Sequence, residues 1–378
     1  MTGAKPIARR IVVGGLLASA TRVAAQVARP PIGPSSRGVA EDFGEMLMLG
    51  FLGSTAKSSS ARRLADHIAA GRIGGVCFVG GNVGSREDVI GLIRLFSADA
   101  KSTPLIAIDH EGGSVQRLTE RHGVTRLPSA RVVADSLSPD QARALYAKAA
   151  TELARIGFNV NLAPVVDLYD PASPTIGRRG RAFGRDPAKV AAYAEAFIDG
   201  FQSSGIQCAL KHFPGGGSAR GDSHDELPDI SSTWSRRELQ PFRRIIDDGQ
   251  ARIIMSGHFR NETTDPTRMP TSLSRASITG LLRGSLGYTG TTMTDDLDMK
   301  AVRQLMGRRE TVIRAIAAGN DLLMILNQEA FDPDLPQHAA GWVSEAIANG
   351  DLAAAALSES ADRVRRLKQS ILIAPSSA

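Results

Sequence analysis

The chain reads as a single α/β domain of the (β/α)8 type, a TIM barrel. Three observations carry that reading. After about residue 40, short apolar runs alternate with longer amphipathic ones, giving eight strand-then-helix units in roughly 330 residues, the rhythm of parallel strands joined by crossover helices. Polar residues gather at the C-terminal ends of many of these runs: Asp109-His110-Glu111, Asp167, Lys211-His212, His258, Asp295-Asp296 and Asn327. In a closed barrel those ends converge on one face, whereas in an open doubly wound sheet they spread along a line. Finally, no Gly-x-Gly-x-x-Gly follows the first run, which leaves a dinucleotide-binding open sheet without support.

The elements follow in chain order. Residues 1–28 have the layout of an export signal: a basic stretch from Lys5 to Arg10, a short apolar core from Ile11 to Ala20, and small-residue cleavage signals at Ala18-Ser19-Ala20 or Val23-Ala24-Ala25. Arg9-Arg10 ahead of a weakly apolar core is in keeping with the twin-arginine route. Residues 29–40, with Pro30-Pro31 and Pro34-Ser35-Ser36, read as a linker. The barrel domain is then expected over 41–378. Its predicted strands are the short apolar runs at 46–52, 73–79, 105–109, 160–167, 206–212, 252–258, 291–295 and 321–326. Helices are predicted from the amphipathic stretches at 61–70, 86–100, 138–156, 187–204, 235–248, 277–285 and 309–318. The tail, 341–369, holds one or two more, with Gly350-Asp351 as the break. Asp186-Pro187 supplies an N-cap and first-turn pair for the helix at 187.

Composition narrows the function. Apolar residues make up 42% and charged residues 22%, as in an ordinary globular enzyme. The formal net charge of +6 belongs to the tail: Lys5, Arg9, Arg10, Arg22, Arg29 and Arg37 account for it, so the body shows no electrostatic case for nucleic acid. No apolar run reaches the ~18 residues that would span a bilayer. Cys77 and Cys208 both fall in predicted strands, and two buried thiols are expected rather than a disulfide or a zinc site.

Four stretches carry chemistry. The first is Lys211-His212-Phe213-Pro214-Gly215-Gly216-Gly217 running on to Asp222-Ser223-His224. A buried strand holds Lys-His at its end only when those groups are paired or face a ligand, and the Gly run allows close backbone approach. Asp222 and His224 form a candidate dyad, in which the Asp fixes the tautomer of a ring able to give and take a proton near neutral pH; the competing reading is a polar surface loop. The second stretch is Thr294-Asp295-Asp296-Leu297-Asp298, where Asp295, nearest the strand, is the catalytic candidate as nucleophile, base or metal ligand, and at least one other Asp is expected to cap or pair. The third is Asp109-His110-Glu111-Gly112-Gly113 with Gln116-Arg117, a strand-end carboxylate suited to sugar hydroxyls. The fourth holds Arg181, expected to face the site. There is no G-x-S-x-G elbow for a serine hydrolase and no H-E-x-x-H metal motif; a metal site assembled in space from the His and Asp residues ranks below metal-free hydrolysis.

With these pieces in order, the chain resembles glycoside hydrolase family 3, specifically the single-domain bacterial β-N-acetylglucosaminidases. The resemblance spans about Glu45 to Asn327. It rests on Ile108-Asp109-His110-Glu111-Gly112-Gly113; Arg181-Ala182-Phe183-Gly184 with Asp186-Pro187; Lys211-His212-Phe213-Pro214-Gly215 with Asp222-Ser223-His224 and Leu227-Pro228; Met255-Ser256 with His258; and Thr294-Asp295-Asp296-Leu297 with Met299. It implies Asp295 as a nucleophile forming a covalent glycosyl-enzyme and His224, oriented by Asp222, as general acid/base on a mobile loop. It implies Asp109, Arg117, Arg181, Lys211 and His212 as the groups holding N-acetylglucosamine, with no cofactor or metal. Lys211 is the cation expected to keep Asp295 ionised. The implied reaction is retaining, exo-acting removal of N-acetylglucosamine from peptidoglycan fragments or related β-N-acetylglucosaminides, by a monomer whose partner is a carbohydrate. The alternatives are a β-N-acetylglucosaminide phosphorylase and a non-catalytic sugar-binding member. Relatives of this length are typically cytoplasmic; the export signal would make this chain periplasmic or secreted. One departure concerns the site: Gly216 stands where the family usually has His, which is expected to remove a side chain beside the substrate.

Overall fold

The computed structural model describes residues 1–3 and 38–371. Apart from 1–3 and 38–40, the predicted export signal and linker lie outside the described residues. The described body, 38–371, falls within one compact unit.

Eight parallel strands form the barrel: β1 (Leu47–Leu49), β2 (Gly75–Phe78), β3 (Leu105–Ile108), β4 (Val160–Asn161), β5 (Gln207–Phe213), β6 (Ile253–Ser256), β7 (Thr291–Thr294) and β8 (Leu323–Ile325). Hydrogen-bonded neighbours run β8-β1-β2-β3-β4-β5-β6-β7. A parallel bridge between Met293 and Leu322, with the Thr294 N–H on the Leu322 carbonyl at 3.0 Å, brings β7 onto β8 and closes the ring. Every predicted strand is present, and closure decides for the barrel over the open sheet.

Strand side chains alternate between two cores, as the two-residue period requires. Met48, Cys77, Leu105, Ala107, Ala209, Met255 and Met293 fill the barrel interior. Their neighbours Leu47, Val76, Phe78, Ile106, Leu210 and Ile254 pack outward under the helices. Both cysteines are buried and free, as expected. The helix Ala354–Gln369 sends Val364 and Leu367 against the interior cluster, and its Arg363 bonds Asp321 at 2.8 Å. Asp321 opens the β8 segment, so this helix covers the N-terminal end of the barrel and leaves the opposite end for chemistry.

The differences from expectation are local. The run at 160–167 pairs as a ladder only at Val160–Asn161, with a further bridge from Val165 to Lys211; Pro164 has no N–H to donate. The stretch 277–285 is a π-helix, Ala276–Ser285, and the tail helix starts at Leu335 rather than 341. Helices Val39–Met46, Ala130–Ser136 and Lys300–Arg303 and the hairpin of His110–Gly112 with Val115–Gln116 were not expected. The helix Pro187–Gln202 begins as predicted, with the Asp186 carboxylate accepting from the Ala188 N–H at 3.2 Å and Pro187 in the first turn.

Candidate active site

A cavity of about 290 Å³ lies at the C-terminal ends of the strands. All eight residues singled out from the sequence line it: Asp109, Arg117, Arg181, Lys211, His212, Asp222, His224 and Asp295. Closure of the barrel is what gathers them, since they come from the ends of β3, β5 and β7 and from the loops after β3, β4 and β5.

The deep wall is an interlocked set of charges. Lys211, buried at the end of β5, sends its ammonium to Asp109 Oδ1 at 2.9 Å and to Glu111 Oε1 at 2.7 Å. The hairpin after β3 turns the chain back, so Arg117 meets Asp109 Oδ2 at 3.0 Å. Arg181 grips Glu111 in a fork, Nε to Oε2 and Nη2 to Oε1, both at 2.8 Å. Burial alone would raise these carboxyl groups. The Lys211 and Arg117 charges instead hold Asp109 well below the usual range, and Arg181 with Lys211 hold Glu111 down at about 2. Between them in sequence, His110 is fully buried, and neither ring nitrogen has a hydrogen-bond partner among the described residues. Its desolvation pushes the imidazole down to about 3, so it is neutral.

Lys211, expected from the sequence to stand near Asp295, makes no hydrogen bond or ion pair with it among the described residues; its ammonium is bonded to Asp109 and Glu111. Asp295 instead receives the Asp296 N–H on Oδ1 at 2.8 Å. His258, from just beyond β6, is buried and within electrostatic reach of Asp295. Its Nε2 donates to the Asp296 carbonyl at 2.8 Å, which leaves Nδ1 to accept from the Ser272 hydroxyl at 2.7 Å. Burial lowers its pKa, in agreement with this neutral tautomer. Of the other two aspartates at least one was expected to cap or pair; both are hydrogen-bonded into the protein, and Asp296 also lines the cavity. Asp298 takes the Arg308 fork, with Nε on Oδ1 at 2.8 Å. Asp296 accepts the Leu326 and Asp298 N–H groups, and burial pushes its carboxyl up to about 7.

His212 is held from behind. Asp167 accepts its Nδ1–H at 2.7 Å on one oxygen, and on the other its backbone N–H at 3.2 Å and that of Gly216 at 2.7 Å. One buried carboxylate thus ties the strand end to the Gly run. Glu238 lies beneath the same turn, accepting the Leu168 N–H at 3.0 Å, and burial beside Asp167 pushes its carboxyl up to about 8. Gly215 has φ 110°, and a Cβ there would stand 2.4 Å from the Glu238 Cβ, so only glycine fits. At Gly216 a Cβ would meet the Phe259 ring at 2.3 Å. Phe259, which lines the cavity, fills the room a side chain at 216 would take. Gly216 carries no side chain, as its identity requires, and the Phe259 ring rather than empty space adjoins its Cα; Gly215 and Gly216 approach the side chains of Glu238 and Phe259, and Gly217 the backbone of Leu168.

The dyad stands at the rim. His224 gives both Nδ1–H (2.7 Å) and its backbone N–H (3.0 Å) to Asp222 Oδ1, which turns Nε2 outward. The ring is 70% exposed, against 4% for the Lys211 side chain. The loop rests on the helix Lys300–Arg303 through the Ala301 N–H on the Ser223 carbonyl at 3.2 Å. Burial would raise Asp222, but hydrogen bonds from His224 pull its carboxyl below the usual range.

Glu111, Asp167, His258 and Phe259 went unassigned in the sequence. The first three were visible as polar residues at strand ends; Phe259 carried no signal. Among the described residues, no three His, Cys, Asp or Glu side chains gather to hold a metal ion, and no helix is long and apolar enough to cross a membrane.

A family model described as the glycosyl hydrolase family 3 N terminal domain matches residues 39–367. A beta-hexosaminidase of Tolumonas auensis is 36% identical over 263 residues, covering 68% of this chain and 77% of that one. Among solved structures, a beta-N-acetylhexosaminidase from Beutenbergia cavernae superposes with a TM-score of 0.77 at 30% identity, covering 88% of this chain and 99% of the other. A glycoside hydrolase family 3 beta-N-acetylglucosaminidase from a Paenibacillus species gives 0.81 at 30% identity, and this chain covers 64% of its length.

Proposed function

The chain belongs to glycosyl hydrolase family 3, and from that premise we propose that it is a retaining, exo-acting β-N-acetylglucosaminidase. The observation that supports this reading best is the division of one cavity between a carboxylate at the end of β7, Asp295, and an Asp-bound imidazole on a separate loop, His224. Retaining hydrolysis needs a nucleophile on one face of the anomeric carbon and a proton donor at the leaving oxygen.

In this reading the sugar lies against Asp109, Arg117, Arg181, Lys211 and His212. Asp295 attacks the anomeric carbon. The bond to the leaving oxygen breaks, and the proton on Nε2 of the His224 imidazolium passes to that oxygen, leaving the imidazole neutral. Water then attacks the glycosyl-Asp295 ester, giving its proton to His224 and freeing the sugar with its configuration retained. Asp222, ionised throughout, steadies the imidazolium between the steps. The substrates we propose are terminal N-acetylglucosamine units of peptidoglycan fragments or related β-N-acetylglucosaminides.

The test is turnover of 4-nitrophenyl β-N-acetylglucosaminide with the product anomer followed by NMR. Release of the β-anomer first is expected. No turnover of any β-hexosaminide sinks the hydrolase reading in favour of sugar binding alone. Turnover that rises with inorganic phosphate and yields the sugar 1-phosphate replaces hydrolysis with phosphorolysis.

A further inference from the structure

The cations of the cavity fall into two groups. Lys211, Arg117 and Arg181 are each bonded to a carboxylate of Asp109 or Glu111. Arg179, on the loop after β4, also lines the cavity, yet its exposed guanidinium has no hydrogen bond or ion pair among the described residues. Other arginines of this flank are occupied. Arg131 pairs with Asp135 at 2.6 Å and lies 4.7 Å over the Tyr169 ring, Arg185 lies over the same ring at 5.5 Å, and Arg220 pairs with Asp170 at 2.8 Å. Arg178 has no side-chain partner among the described residues either, but it is outside the cavity wall.

The position of Arg179 says what it faces. It is close enough to Asp222 to act on that carboxylate electrostatically, and Asp222 is already bonded to His224. His224, if it protonates the leaving oxygen, must stand where the leaving group stands, so the space beside the dyad belongs to the leaving group rather than to the sugar against Lys211. A free guanidinium there offers a planar fork of permanent charge, matched to a carboxylate.

We propose that Arg179 is a specificity-determining residue that binds a carboxylate on the leaving group, so that the enzyme prefers β-N-acetylglucosaminides with an anionic aglycone. This rests on the hydrolase reading above. The test compares kcat/KM for 4-nitrophenyl and 3-carboxy-4-nitrophenyl β-N-acetylglucosaminides in the wild type, Arg179→Gln and Arg179→Lys. In Arg179→Gln the loss on the carboxylated glycoside should exceed the loss on the neutral one by about ten-fold, mainly through KM, the scale of one charge-assisted hydrogen bond. Arg179→Lys should recover part of it, and the wild-type preference should shrink at high salt. Equal losses on both glycosides overturn the inference while leaving the hydrolase reading intact. No wild-type turnover of either removes the reading and the inference together.

Discussion

The deep wall of the cavity and its rim are built on opposite principles. At the wall, Asp109, Glu111, Lys211 and Arg181 are desolvated and locked to one another; each charge is tolerated only because its partners are present. At the rim, His224 is mostly exposed and held by a single carboxylate. The contrast teaches why the two jobs are separated. A group that binds is best fixed in charge and place, whereas a group that moves a proton must change charge in every cycle. The buried histidines show the cost of the alternative: desolvation pushes His110 down to about 3 and lowers His258 as well, so neither ring readily becomes an imidazolium. Proton transfer is left to a histidine that water reaches.

Four measurements break or sharpen this contrast, the largest effect first. Asp295→Ala should lower kcat/KM by on the order of 10⁴-fold or more, the scale of losing the nucleophile of a covalent mechanism, without a matching loss of stability. A fall no larger than that of a remote surface change would take the nucleophile's role away. Lys211→Met removes the ammonium shared by Asp109 and Glu111 and leaves each buried carboxylate with a single arginine, Arg117 or Arg181. It should cost ~3–5 kcal/mol in denaturant unfolding besides abolishing sugar binding, and an unchanged midpoint would mean the wall is not interlocked. His224→Ala should behave oppositely. Its melting temperature should stay near that of the wild type, while hydrolysis of a glycoside with a poor leaving group falls by roughly 10²-fold or more and an activated aryl glycoside suffers less. Equal losses on both glycosides would argue against proton donation.

The fourth concerns pH. Burial pushes Glu238 up to about 8 and Asp296 up to about 7, from ordinary values of 4.5 and 3.8. Both hold their protons more tightly in the folded protein. The stability each contributes is complete below its ordinary value and is lost as pH rises through 7 to 8. Glu111, held down at about 2 from 4.5, has the reverse sign: its contribution is present above 4.5 and lost as pH falls toward 2. Unfolding free energy should therefore decline between pH 5 and 9, and Glu238→Gln should flatten part of that decline. A slope identical to the wild type would show that Glu238 does not titrate there.

How much of this was legible in the chain depends on what encodes it. The strands were legible because each is an apolar run with a polar end, and convergence of the eight site residues followed from barrel closure. The helices Ala130–Ser136 and Lys300–Arg303 were not, since they are too short to show a helical period and are set by their surroundings. Nor was the partner of Lys211. Which carboxylate a buried ammonium meets depends on registers across the barrel, and linear spacing does not encode them. Asp167 and His258 stood at strand ends in plain view, but only the fold shows one clamping His212 and Gly216 and the other wedged between Ser272 and the Asp296 carbonyl. Phe259 could not have been found at all, because an aromatic residue after a strand is ordinary core material.

That ring sets the cost of changing residue 216. The Cβ position at 216 and the tip of Phe259 claim the same volume, so any side chain at 216 forces the ring to shift or the wall to strain. A substitution at 216 is therefore felt first at 259, and the two positions are best changed together.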